Sequence, residues 1–334
     1  MACVNGHTIC ADCCNECRKG PDGKCPICGD DLLLTMRANE TLVALIDYSD
    51  SLLNISEKDI QIQENPFARG VFGEVYMAKW RKQNVVIKII TTSSEEEKQA
   101  VKCEIKLTVR LNHPNVIKLF GITWMKLNKP GIVMEKAEHG SLDMWIGKIG
   151  HEKLTKIALG IIDGLEYVHS KKVIHRNVKP QNILMFGPKH DMIPKIADFG
   201  VSKVIQTAIL TNTTVRLDIY IAPEVRASLR YSFSADIFSL AITLFEMFSN
   251  QLISHASNEV KRFITGIQTG GSGRISKSYR VPLYLRDVIE SGWNKNADER
   301  ATLSDYRATL HGKHLFLMFY SNFLTFSRQI SVQK

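Results

Sequence analysis

Val173-Ile174-His175-Arg176-Asn177-Val178-Lys179-Pro180-Gln181-Asn182-Ile183-Leu184 is the stretch whose reading decides the fold of this chain. Asn177 is its most informative residue. The amide oxygen accepts a hydrogen bond, but an amide cannot hold a proton at neutral pH. Further along stands Asp198-Phe199-Gly200. Oxygen donors such as those of Asn182 and Asp198 suit a hard divalent cation that keeps several of its waters. Upstream lie Phe67-Ala68-Arg69-Gly70-Val71-Phe72-Gly73-Glu74-Val75-Tyr76 and, about a dozen residues on, Val85-Val86-Ile87-Lys88. Glycine at 70 and 73 lets backbone come close to a partner where a side chain would obstruct it. Downstream are Ala222-Pro223-Glu224 and Asp298-Glu299-Arg300-Ala301-Thr302.

Taken in this order and spacing, these motifs resemble a protein kinase domain of the serine/threonine, tyrosine-kinase-like type, over about residues 60–312. The resemblance implies an α+β, two-lobed fold with a small β-rich lobe and a large helical one. It implies ATP and Mg²⁺ as cofactors and protein substrates or signalling partners. Gly70, Gly73 and Val75 match the family's glycine loop, and Ala68 replaces its first glycine. Val86 would roof the adenine, and Lys88 would contact the α- and β-phosphates. Glu104 is the expected carboxylate partner of Lys88, ahead of Glu95, Glu96 and Glu97, which sit where a helix start favours negative charge anyway. Met134 stands at the gatekeeper position, and the backbone of Glu135 and Ala137 would pair with the adenine edge. Asp198 would bind Mg²⁺, with Asn182 completing a second metal contact. Lys179 matches the lysine that meets the γ-phosphate in serine/threonine kinases. Glu224 with Arg300, and Asp236, match residues that hold the family's fold together and are structural here.

Two positions depart from the family together. Where Asn177 stands, the family has the aspartate that accepts the substrate hydroxyl proton. Where Leu217 stands, active serine/threonine kinases carry a threonine that bonds that aspartate. The binding set of Lys88, Glu104, Lys179, Asn182 and Asp198 is kept. Losing a general base typically costs about 100- to 10,000-fold in rate. The expectation is therefore an ATP-binding pseudokinase serving as a signalling scaffold or switch. A weakly active serine/threonine kinase is the alternative. Thr211, Thr213 and Thr214 are phosphorylation candidates that would order their segment through Arg176, against the plainer reading of a polar loop.

The remainder of the chain adds a second module. Of 334 residues, 44% are hydrophobic and 23% charged, as in a globular protein, and the formal charge of +9 is spread along the chain. That spread reads as a mildly basic surface, with no nucleic-acid partner. Seven of eight cysteines fall between Cys3 and Cys28. With no leader before them, they point to metal ligation in a reducing, cytoplasmic compartment. Cys3, His7, Cys10, Cys13, Cys25 and Cys28 resemble part of a RING finger over residues 1–35. That likeness implies Zn²⁺ and a ubiquitin-conjugating enzyme as partner, with ubiquitin ligation as a third function. Cys3, His7, Cys25 and Cys28 would complete one zinc site. Cys10 and Cys13 belong to another, whose missing pair lies upstream of Met1 or is replaced by Cys14 and Cys17. Residues 36–59 read as a helical linker. Residues 313–334 form an apolar tail, either a buried terminal helix or an interfacial anchor, since no run reaches the roughly 18–20 residues of a transmembrane span.

Overall fold

The computed structural model describes residues 54–70, 73–92, 94–125, 129–199, 219–228, 231–253, 257–269 and 273–312. The expected zinc ligands Cys3 to Cys28, most of the linker, Gly200, Leu217, Thr211 to Thr214 and the apolar tail lie outside them. The described residues fall into two compact units. One runs to Ala137 and includes Asp198 and Phe199; the other comprises Glu138–Ala197 and the residues from Ile219 onward.

The first unit is a six-stranded antiparallel sheet with one long helix. Its strands are β1 (Ile60–Ile62), β2 (Ala68–Gly70), β3 (Gly73–Trp80), β4 (Gln83–Ile90), β5 (Leu119–Met125) and β6 (Lys129–Glu135). Their spatial order is β1-β3-β4-β6-β5, with β2 also paired to β3. Period-two alternation divides β4 between two faces. Val85 and Ile87 point into a cluster with Ile55, Ile60, Ala78 and Val133. Ile90, on the opposite face with Val86 and Lys88, packs against Val101, Ile105 and Ile122. Full burial of each such side chain stabilises by about 1.5–3 kcal/mol. This alternation puts Lys88 on the helix side of the sheet. Packing in this unit begins ahead of residue 60: Ile55 is buried, and its N–H donates to the Ile122 carbonyl at 2.7 Å.

Helix α1 (Glu95–Thr108) starts where the acidic run predicts. Ser94 caps it by accepting from the Glu97 N–H at 3.2 Å, which satisfies one of the orphan donors of the first turn. The β3–β4 hairpin turns through Arg81 and Lys82, both at positive φ (47° and 65°). That geometry suits the strand twist at a two-residue loop, although neither residue favours it.

The second unit is built on α4 (Phe233–Ser249), buried on every side from Ala235 to Ser249. A helix apolar all round belongs in a core. Around it lie α2 (His151–Ser170), α3 (Pro223–Ser228), α5 (Asn258–Gln268), α6 (Leu283–Gly292), a last helix α7 over 303–312, and the hairpin of β7 (Ile183–Phe186) with β8 (Ile193–Ile196). Glu224 and Arg300 form a two-pronged pair, Nη1–Oε1 and Nη2–Oε2 both 2.7 Å. Breaking such a pair costs about 3–5 kcal/mol, because a charge is left buried without its partner. Among the described residues no helix is long and apolar enough to cross a membrane.

Candidate active site

The first unit contributes a glycine, a cation and a carboxylate. Gly73 lies at φ +137°, and a Cβ there would stand 1.8 Å from the Ile89 carbonyl oxygen. The loop end is thus a glycine because β4 backbone passes against it. Across the strands Val75 faces Lys88, and Val86 faces Met134. The Lys88 ammonium is paired with the Asp198 carboxylate, and both side chains are largely buried. Asp198 sits at φ 60°, in the left-handed region that aspartate tolerates better than most residues. Phe199 follows it into a cavity of about 30 Å³, lined with Ile105, Thr108, Leu119 and Met134. That is room for about one water. Glu104 lies on α1, but its side chain is outside the described set.

At the end of β6 the backbone is partly committed. The Glu135 N–H donates to the Lys118 carbonyl at 3.0 Å, and its carboxylate accepts from the Lys118 N–H at 2.7 Å. The Ala137 N–H has no backbone partner among the described residues, so it is available to an acceptor on a bound ring.

The second unit contributes the loop holding Asn177. Asp236, fully buried on α4, accepts from the backbone N–H groups of His175 (2.8 Å) and Arg176 (2.7 Å), and from His169 Nε2 (2.8 Å). One carboxylate therefore fixes the start of the loop, with Arg176 at φ 68°. His175 is used at both nitrogens. Nδ1 accepts from the Asn177 N–H at 3.3 Å, and Nε2 donates to the Ala197 carbonyl at 3.1 Å. Asn182 Nδ2 donates to the Asn177 carbonyl at 2.8 Å. This fixes the orientation of the Asn182 amide and leaves its oxygen for a cation. The Asn182 carbonyl accepts from the Ala197 N–H at 2.8 Å, next to Asp198 in the chain. The Asn177 side-chain amide is half-buried and makes no hydrogen bond to any described residue.

Residues 63–311 match the family described as the protein kinase domain. This chain belongs to that family. The chain is 32% identical over 276 residues to the human mitogen-activated protein kinase kinase kinase 7, covering 78% of this chain and 43% of that protein. It is 30% identical over 249 residues to the zebrafish (Danio rerio) serine/threonine-protein kinase Nek8, covering 72% of this chain and 35% of the relative. The Arabidopsis thaliana serine/threonine-protein kinase VIK is 29% identical over 254 residues, covering 71% and 56%. The chain thus spans less than half the length of the first two of these relatives.

Within the kinase domain the structure brings Lys88 to Asp198, Val86 to Met134, and Asn177 to Asn182 through its backbone. Lys179 lies at the start of the turn that carries Asn182. Two supporting residues were not legible in the motifs. His169 shares Asp236 with the loop. Glu246, buried on α4, accepts from the Tyr220 hydroxyl at 2.6 Å and the Ile253 N–H at 2.8 Å. A carboxylate late in a mostly apolar helix, ten residues after Asp236, was the available signal for Glu246. Among the described residues there is no cluster of three or more metal-ligating side chains, and the expected zinc ligands fall outside them.

Proposed function

We propose that this kinase domain binds ATP with Mg²⁺ and has given up efficient phosphate transfer, so that it works as a nucleotide-responsive switch or scaffold in signalling. The observation that carries this reading is a fully braced loop ending in an amide. Asp236, His175 and Asn182 hold residues 175–182 in place, yet Asn177 offers no site for a proton.

The residues present fit the nucleotide and its metal. Lys88 supplies positive charge beside Asp198. The carboxylate of Asp198 and the freed oxygen of Asn182 are hard donors of the kind Mg²⁺ takes. The Ala137 N–H is open to an adenine nitrogen, and the tight approach at Gly73 keeps side-chain bulk off the loop end. Bound ATP supplies the transferable phosphoryl group. Asn177 Oδ1 can accept a hydrogen bond from a substrate hydroxyl and so orient it, but the proton stays on the hydroxyl. Lys88, Lys179, Asn182 and Asp198 still position and neutralise phosphate, and such positioning supplies most of the catalysis in this reaction class. A second reading, a slow serine/threonine kinase, rests on that retained set and on the Lys179-Pro180-Gln181-Asn182 spelling. The cysteine usage supports a reducing, cytoplasmic setting.

Melting the chain with and without ATP and Mg²⁺, beside Lys88→Met, tests the binding. A shift in the wild type that is lost in the variant is expected; no shift at millimolar nucleotide overturns it. Radiolabelled phosphate transfer, beside Asn177→Asp, tests the loss of chemistry. Equal rates in the two proteins overturn that part.

A further inference from the structure

The second unit carries a groove of about 710 Å³ away from the loop of Asn177. One wall is the β7–β8 turn with Lys189 and His190. The other is the segment entering α2, with Trp145, Lys148, His151 and Lys153. The volume is within the range of sites that enclose a ligand.

Charge in the groove is one-sided. Lys148, Lys153 and Lys189 are exposed, and no described carboxylate lies within ion-pair distance of any of them. Elsewhere in this unit Arg300 and Arg307 are each matched by carboxylates. Glu152 is the one acid among the groove residues. Three unpaired ammonium groups around one concavity repel one another, and that repulsion is relieved by an anionic occupant.

The aromatic ring of the second wall is held in place. Trp145 Nε1 donates to the His139 carbonyl at 2.9 Å, and its ring meets His139 edge-on, centroids 6.1 Å apart. With its N–H already used, Trp145 presents a ring face rather than a donor. The Lys189 ammonium lies 5.6 Å from that ring, a geometry that favours a cation over the π-face. Strong basic charge beside a fixed ring matches a chain that alternates carboxylates with an apolar side chain. A nucleic acid would call for a longer run of phosphate contacts than three lysines interrupted by Glu152 provide.

We propose that this groove docks an acidic peptide segment of a protein partner. Its carboxylates lie against Lys148, Lys153 and Lys189, and an apolar side chain rests on Trp145. The site is independent of nucleotide binding, because none of its residues belongs to the ATP set.

The test uses the full chain and a fluorescein-labelled peptide rich in Glu and Asp with one central Leu. Fluorescence anisotropy is read at low and at physiological salt. Controls are a lysine-rich peptide and a single-stranded oligonucleotide of equal charge. The acidic peptide is expected to bind, to weaken as salt screens the lysines, and to bind about tenfold more weakly to the Lys148→Glu, Lys153→Glu, Lys189→Glu variant. Thermal melting by circular dichroism confirms that the variant is folded; should it fail to fold, Lys148→Gln with Lys189→Gln takes its place. Failure of the acidic peptide to bind, equal binding by the folded variant, or equal binding of the oligonucleotide each overturns the proposal. A failed nucleotide melt beside successful peptide binding would overturn the ATP reading and leave this one standing.

Discussion

Asn177 and an aspartate have the same shape, yet one oxygen exchanged for an NH₂ decides whether the loop can take a proton. Among the described residues of the second unit no neighbour compensates. His175 is the nearest base in sequence, and both its nitrogens are committed, to the Asn177 N–H and the Ala197 carbonyl. Since His175, Asp236 and Asn182 brace the loop through its backbone and none of them through the Asn177 side chain, the carboxylate can be returned without repacking. Asn177→Asp is expected to raise phosphate transfer to a generic protein substrate about 100- to 10,000-fold. A radiolabel assay that shows no gain would place the block elsewhere, at Leu217 first. Gly73 makes a different point. Its identity reads as a phosphate-loop glycine, but the carbonyl of Ile89 at 1.8 Å from any Cβ gives it a second reason, independent of ligand. Gly73→Ala is accordingly expected to destabilise the chain without nucleotide by about 1–3 kcal/mol in a urea titration. A variant as stable as the parent would show that the strands part at no cost.

At the scale of elements, the first turn of α7, packing against α6 and α4, holds an imperfection that no motif reveals. Tyr306 is wholly buried, and its hydroxyl has no hydrogen-bond partner among the described residues. The oxygen occupies the space that a Cβ on Gly292 would need, 1.8 Å away, beside Ala241. Burial pushes the phenol far above its ordinary value, so it stays neutral throughout the usable pH range. An unmet buried hydroxyl costs about 1–3 kcal/mol. Tyr306→Phe is therefore expected to keep or raise the melting temperature, and a clear drop would reveal a partner for the oxygen. The same helix begins with a reciprocal cap. Thr302 gives its N–H and its hydroxyl to the Asp305 carboxylate, both at 2.7 Å, while the Asp305 N–H returns to the Thr302 hydroxyl at 3.2 Å. These bonds, the backbone one foremost, hold the Asp305 carboxyl below its usual value. A group whose folded pKa is lowered adds stability above its unfolded pKa and loses it as pH falls through the folded one. The melting difference between the parent and Asp305→Ala should be full at neutral pH and narrow below the ordinary carboxylate range. A difference independent of pH would mean that the charge contributes nothing.

For the molecule as a whole, nucleotide binding is the property to measure, and ligand linkage gives its size. Ligand at 100 times its dissociation constant stabilises by about 2.7 kcal/mol, which is several degrees of melting temperature for a protein of this length. ATP with Mg²⁺ should produce that shift, and Lys88→Met should remove it, read by differential scanning fluorimetry. What the amino-acid order settled alone was local: the glycine loop, Lys88, residues 173–184, Asp198-Phe199-Gly200 and Ala222-Pro223-Glu224. Chemistry dictates those residue types at short spacings, so the family was legible without coordinates. The acidic start of α1 was legible for the same reason, because a helix N-terminus draws negative charge wherever it sits. Partnerships across long separations were not. His169 with Asp236, Glu246 with Tyr220, the crowding of Tyr306 on Gly292, and the meeting of Lys189 with Trp145 join residues with no common pattern in the chain. Only packing brings them together, since burial rewards whichever groups the folded backbone makes neighbours, and no periodicity records which those will be.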